Sequence, residues 1–273
     1  MAGEVAAHYA SAGGLSEAIA QRLRDLGRDP GRLEPSELAP VDEFHIRGRD
    51  ATLELAASMR LTPDSHVLDL GSGLGGPART LAQAFGCHVS GIDLTPAFCE
   101  AATVMSEWVG LSDRVTFVEG DATHLPFDDG RFDAAMTIHV AMNIPDKAAL
   151  YGEAWRVLKP GGIFAIYDVV QGEGGEVIFP VPWARLPALS HLVTPEAMED
   201  LLQSAGFRIL QVDDSTEASQ AWFEAMAARM AGSGLPPLSF QTFLGPDFKG
   251  MARNQVRNLM ERRIRTVTFI AQR

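Results

Sequence analysis

Cysteine is scarce in this 273-residue chain: there are two, Cys87 and Cys99, with no Cys-x-x-Cys pair and no companion histidine cluster. That argues against a disulfide framework or a zinc site, so no metal is expected and the reducing cytosol is the natural, cytoplasmic compartment. Positive charge is also short, with 23 Lys and Arg against 35 Asp and Glu and a formal net charge of −12. Such a field repels polyphosphate backbones, so no nucleic-acid partner is expected, while a small neutral or cationic one is easily accommodated. The single basic run, 253–265, alternates arginine with apolar residues as on a solvated helix face. No apolar run approaches membrane-spanning length, the opening "MAGEVAAHYASAGGL" lacks the charged-then-apolar order of an export signal, and there is no repeat or low-complexity tract. Membrane insertion, export and disorder are therefore not expected.

What is present is the composition of an ordinary globular protein, 46% hydrophobic and 21% charged. From residue 65 onward, short apolar runs alternate with helical patterns, which predicts βαβ units and a parallel sheet. The expected strands are 66–70, 88–93, 114–122, 132–140 and 163–170, followed by 207–213 and 264–272. Between them, Thr95 with Pro96 and Thr194 with Pro195 read as helix starts, and Gly110 and Gly206 as stops. The fold class is α/β with a doubly wound sheet, whose ligands lie beyond the carboxyl ends of the strands. Asp69, Asp93, Asp121, His139 and Asp168 all fall at those ends. Residues 1–60 read as a helical lid, and 61–273 as the main domain, with cap segments at about 171–193 and 216–262.

The stretch "VLDLGSGLGGPAR" (67–79) follows the first strand and reads in two registers. Gly71, Gly73 and Gly76 fit the G-x-G-x-x-G spacing of a dinucleotide site, and Asp93, 22 residues past Gly71, fits the acidic residue such a site places on a ribose. Asp69, Gly71, Gly73 and Gly75 equally fit an acidic-x-G-x-G-x-G spacing. Spacing alone leaves both open.

Four blocks, "VLDLGSGLGG", "GIDL" (91–94), "VEGDATHLPFDDGRFD" (118–133) and "RVLKPGG" (156–162), occur in an order and at a spacing that resembles the class I S-adenosylmethionine-dependent methyltransferases. The resemblance is strong over about 65–170 and implies a Rossmann-like seven-stranded sheet whose last strand is antiparallel and inserted beside the fifth. It also implies roles. Asp69 would orient the turn and reach the methionine ammonium, Gly71 and Gly73, with Ser72 between them, would let the backbone approach the cofactor, Asp93 with Leu94 would take the ribose, and Asp121 with Ala122 the adenine edge. His139, Met142 and Asn143 occupy the stretch where relatives contact the methionine part and the acceptor. A cofactor with a sulfonium and no phosphate also suits a site rich in carboxylates.

Within that class the layout is similar to the small-molecule branch that includes sarcosine and dimethylglycine, tocopherol and quinone methyltransferases. The segment 39–56 resembles an arm that closes over cofactor, bringing Phe44, His45, Arg47 and Gly48 near the site. His139 and His191 are the candidates for a general base or for positioning the acceptor, ahead of Asp168 and His45. Tyr9, Trp183 and Trp222, in lid and cap, are candidate acceptor contacts through cation–π or packing. The expected function is methyl transfer to an amine or hydroxyl of a small metabolite. The alternatives are carbon methylation of a quinone- or terpenoid-like acceptor, an NAD(P)-linked oxidoreductase, or a cofactor-binding regulator without turnover. The sequence leaves room for a homodimer.

Overall fold

The computed structural model describes residues 14–233, 238 and 247–273. Its centre is a seven-stranded sheet in the order β3-β2-β1-β4-β5-β7-β6, formed by β1 (His66–Leu70), β2 (His88–Asp93), β3 (Val115–Glu119), β4 (Phe132–Ile138), β5 (Leu158–Gln171), β6 (Arg208–Asp214) and β7 (Ile264–Gln272). The first five strands pair in parallel, and β7 runs antiparallel between β5 and β6. This is the arrangement the resemblance implied. Strand order reverses between β1 and β4, so their carboxyl ends diverge and open a crevice there.

The helices are α1 (Leu15–Asp25), α2 (Pro35–Asp42), α3 (Gly48–Ala57), α4 (Gly76–Phe85), α5 (Pro96–Trp108), α6 (Lys147–Val157), α7 (Pro195–Ser204), α8 (Thr216–Ser233) and α9 (Phe248–Met260). Leu150, Ala154 and Val157 of α6 and Met198 and Leu202 of α7 recur at helical spacing and cover one face of the sheet. Ala51 and Leu55 of α3 and Ala78 and Leu81 of α4 cover the other. The segment read as a lid is thus divided. Helices α1 and α2 pack on Phe98 and Met105 of α5, whereas α3 belongs to the sheet's own core. The cap forms a fourth cluster in which Val181 and Trp183 meet Phe223, Leu259 and Ile46.

Three local details depart from the sequence reading. Thr95 occupies the cap position of α5 without a side-chain cap bond, and its amide instead donates to Asp93 Oδ1 at 2.9 Å. Strand β4 ends at Ile138 and not at 140, because His139 turns into the left-handed region at φ 53° while its amide still reaches the Tyr167 carbonyl at 2.8 Å. Strand β5 begins at Leu158 and not at 163. Register jumps from the Phe132–Leu158 pair to Ala134–Ile163, and the C-terminal Arg273 holds the intervening loop by exchanging backbone bonds of 3.0 Å with Gly161 and Gly162.

Candidate cofactor and acceptor site

The glycine turn is a product of close approach. Gly71 leaves β1 at φ 77° and donates to the Ile92 carbonyl at 2.8 Å, and a Cβ on it would stand 2.4 Å from a Val140 methyl. Gly73 and Gly75 also have positive φ. Gly76 is different. A Cβ there would fall 2.3 Å from the backbone oxygen of Asp42, so this glycine admits the lid and not a pyrophosphate. The backbone therefore favours the register of Asp69, Gly71, Gly73 and Gly75.

Carboxylates surround this turn. Asp93 accepts from the Gly73 amide at 2.8 Å and the Thr95 amide at 2.9 Å, and burial raises its pKa against the pull of those bonds. Asp121 accepts from the amide and hydroxyl of Thr123 at 2.8 and 2.7 Å. Asp69 stands behind the turn, buried, with Oδ2 unpartnered; burial, reinforced by Glu43 and Asp93, pushes its pKa up to about 8. Ser72 Oγ is likewise buried without a partner. Two orphaned buried oxygens beside a turn stripped of side chains mark a place for a ligand's donors.

A cavity of about 380 Å³, within the range of small-molecule sites, joins this turn to a second chamber. Of the residues named from sequence, Gly71, Ser72, Gly73, Asp93, Leu94, Asp121, Ala122, His139, Asn143, Phe44 and His191 line it. His139 lies 4.9 Å from the Tyr167 ring and 5.9 Å from that of His45, its Nε2 is buried and unpartnered, and burial drives its pKa well below the ordinary value. His45 Nε2 must donate to the Gly48 carbonyl at 2.9 Å, since a carbonyl only accepts, and burial lowers its pKa to about 4. His191 also titrates low, through burial and the neighbouring Lys147.

Other named residues are not brought to the cavity. Trp183 is 1% exposed in the cap core, donates from Nε1 to Ser190 Oγ at 3.0 Å, and gives its carbonyl to Asn143. Met142 and Trp222 pack in the same cluster. Asp168 is fully buried beneath the 3-10 turn Ala141–Asn143, where its Oδ1 accepts from the Val169 amide at 2.8 Å, its Oδ2 has no partner, and burial lifts its pKa to about 7 against the pull of the nearby Ala141 and Met142 amides. Tyr9 lies outside the described residues. From this placement Trp183→Ala is expected to lower stability by about 3–5 kcal/mol, as large buried aromatics do, and a thermal melt checks it. A variant with wild-type stability and weakened acceptor binding would return Trp183 to the site.

Sequence reasoning missed the buried polar seam that seats the lid. Arg79 of α4 donates to Asp42 Oδ2 at 2.7 Å and to Ala102 O and Ser106 Oγ at 3.0 Å each. Glu43 accepts from Thr80 at 2.6 Å and Thr52 at 2.7 Å. One signal was available. Arg79 sits within Gly76–Ala82, a stretch of α4 buried all round, where a charge needs a partner. Lys147 was missed too: nearly buried, it donates to the carbonyls of Ile144 at 2.8 Å and His191 at 2.5 Å.

A seven-stranded sheet with one antiparallel strand, and a glycine turn faced by carboxylates, define the class I S-adenosylmethionine-dependent methyltransferase fold. The chain carries that domain: residues 68–166 match the family model described as "Methyltransferase domain". It is 41% identical over 114 residues to sterol 24-C-methyltransferase of Gibberella zeae, covering 42% of this chain and 30% of that one. To the same enzyme of Aspergillus fumigatus it is 32% identical over 181 residues, covering 63% and 48%. The chain thus spans about a third to a half of the length of these curated relatives. Among solved structures, the cyclase SpnF superposes with a TM-score of 0.66 at 25% identity over 96% of this chain and 95% of that one. Geranyl diphosphate C-methyltransferase of Streptomyces coelicolor superposes at 0.68 and 18% identity over 82% and 78%, which speaks for the fold alone.

The donor set fits S-adenosylmethionine. Asp93 and Asp121 offer acceptors that suit hydroxyls and an amino edge, Asp69 and Ser72 hold orphaned oxygens at the turn, and no Lys or Arg side chain among the described residues lines the cavity to suit a pyrophosphate.

Proposed function

We propose that this protein transfers the methyl group of S-adenosylmethionine to an oxygen or nitrogen of a small-molecule acceptor. One observation carries the reading: a carboxylate-lined glycine turn and a chamber bearing His139 and His191 share one continuous cavity. Bound S-adenosylmethionine supplies a methyl group on a positively charged sulfur, with a thioether as leaving group. Asp93 with Leu94 would hold the ribose, Asp121 with Ala122 the adenine edge, and Asp69 with Gly71, Ser72 and Gly73 the methionine part. The lid residues Phe44 and His45 exclude water, and Asn143 fixes the chamber wall. His139 or His191, held neutral by burial, takes the acceptor's proton. The free, buried Cys87 and Cys99 favour a cytosolic setting.

Carbon methylation is the second reading, favoured by the similarity to sterol 24-C-methyltransferases. In that case the same neutral histidines would remove a proton from carbon. A third follows from the near full-length match to the cyclase SpnF, in which this fold is named for a different reaction. S-adenosylhomocysteine release, assayed against pools of phenols, alcohols, amines and isoprenoids, separates these. Turnover with phenols, alcohols or amines supports the first reading and turnover with isoprenoid hydrocarbons the second. Binding of S-adenosylhomocysteine without release in any pool turns the reading toward cyclisation.

A further inference from the structure

Beyond the glycine turn the cavity is walled by Ile138, Val140, Ile144 and Leu189, with His45 and His139 also lining it. The charged side chains that line it are carboxylates, with no Lys or Arg among the described lining residues. Asp42 is paired with Arg79, Asp93 holds the amides of Gly73 and Thr95, Asp121 holds Thr123, and Asp146 accepts from the Ala149 amide at the exposed mouth. The nearest ammonium, on Lys147, is spent on the carbonyls of Ile144 and His191. The Asn143 amide is spent on those of Trp183 and Leu189. Among the described residues no cluster of three His, Cys, Asp or Glu is arranged to hold a metal.

Besides Ser72 Oγ at the turn and Asp42 Oδ1 beside Arg79, one buried polar atom on the described lining residues has no partner. His139 Nε2 is buried and unpartnered on a side chain that lines the cavity, and its backbone is held at φ 53°, a conformation a non-glycine residue keeps only when its surroundings impose it. The geometry points to an acceptor whose reacting end carries no negative charge and is read by a hydrogen bond to His139 Nε2. This rests on the methyltransferase reading above and narrows its acceptor. A phosphate or carboxylate entering this chamber would lose its hydration, meet no cation among the described lining residues and face the carboxylates of Asp93, Asp121 and Asp146, whereas a hydroxyl or an uncharged amine would satisfy the His139 nitrogen. The geranyl diphosphate of the Streptomyces coelicolor neighbour carries the kind of head this chamber does not pair.

The test uses the full chain saturated with S-adenosylhomocysteine, titrated calorimetrically with matched probes: geraniol and geranyl phosphate, and 2-naphthol, 2-naphthyl phosphate and naphthalene. Geraniol or 2-naphthol is expected to bind at least about a hundredfold more tightly than its charged counterpart. In His139→Asn, which tolerates the left-handed backbone, the preference for 2-naphthol over naphthalene is expected to fall by about tenfold or more, both probes being titrated into protein saturated with S-adenosylhomocysteine so that a change in cofactor affinity does not enter the ratio. His139→Gly, free of backbone strain, serves as a second variant should the first melt early. A charged probe binding as tightly as its neutral partner, or no binding by either neutral probe, would overturn the proposal. Failure of S-adenosylhomocysteine itself to bind is read first and separately, and it overturns the methyltransferase reading beneath.

Discussion

Arg79→Met is expected to lower stability by about 3–5 kcal/mol, the usual effect of removing one partner from a buried ion pair, and so to shift the thermal midpoint by on the order of 10 °C. The guanidinium is wholly buried and bridges the lid at Asp42, α5 at Ala102 and Ser106, and the end of the glycine turn at Leu74. Its loss leaves the Asp42 carboxylate uncompensated. The pH dependence identifies this cause. Burial, only partly offset by Arg79, already lifts Asp42 to about 6 from an ordinary 3.8. The folded state therefore keeps a proton the unfolded chain has released, and stability from this group falls as pH rises between those values. Without Arg79 the carboxyl rises further, so the variant should lose more at pH 8 than at pH 5, where Asp42 can be neutral. A loss independent of pH would assign the effect to packing. Because the Asp42 carbonyl rests against Gly76, S-adenosylhomocysteine binding should weaken along with stability.

Asp93→Ala is expected to weaken S-adenosylhomocysteine binding by about a hundredfold or more. Each charge-assisted hydrogen bond to a ligand hydroxyl is worth about 1.5–3 kcal/mol, and the carboxylate also draws the Gly73 and Thr95 amides into place. Asp93→Asn keeps one acceptor oxygen and should retain part of the affinity. Calorimetry on both variants, alongside their melting curves, decides the matter. Unchanged affinity would refute the ribose assignment.

The sheet was largely legible because its signals are local. Apolar runs such as "HVLDL", closed by Gly, Pro or a capping residue, place each strand and helix within a few positions. The cofactor side was legible for the same reason, since Gly71 to Gly73, Asp93 and Asp121 each sit just past a strand end. What failed to show was anything fixed by a pairing across the chain. Arg79 meets Asp42 across 37 residues, and the aromatic and amide residues of the cap could not be sorted by spacing into wall and core. Trp183 went to the core and Asn143 to the wall. Asp168 reads from sequence as one more strand-end acid, but it faces the turn 141–143 and secures it from below.

The acceptor wall is, in engineering terms, a replaceable part. The loop carrying Leu189 and His191 is pinned to the rest of the molecule at this point through backbone carbonyls, by Asn143 and Lys147, and by the His191 amide on the Met142 carbonyl at 2.7 Å. Main-chain pins do not read side chains. A graft that keeps Asn143, Lys147, the Ser190 hydroxyl that receives the Trp183 indole, and the loop's backbone path can therefore change the side chains at 186–189 and with them the shape offered to an acceptor, leaving the machinery around Asp93 in the parent's geometry.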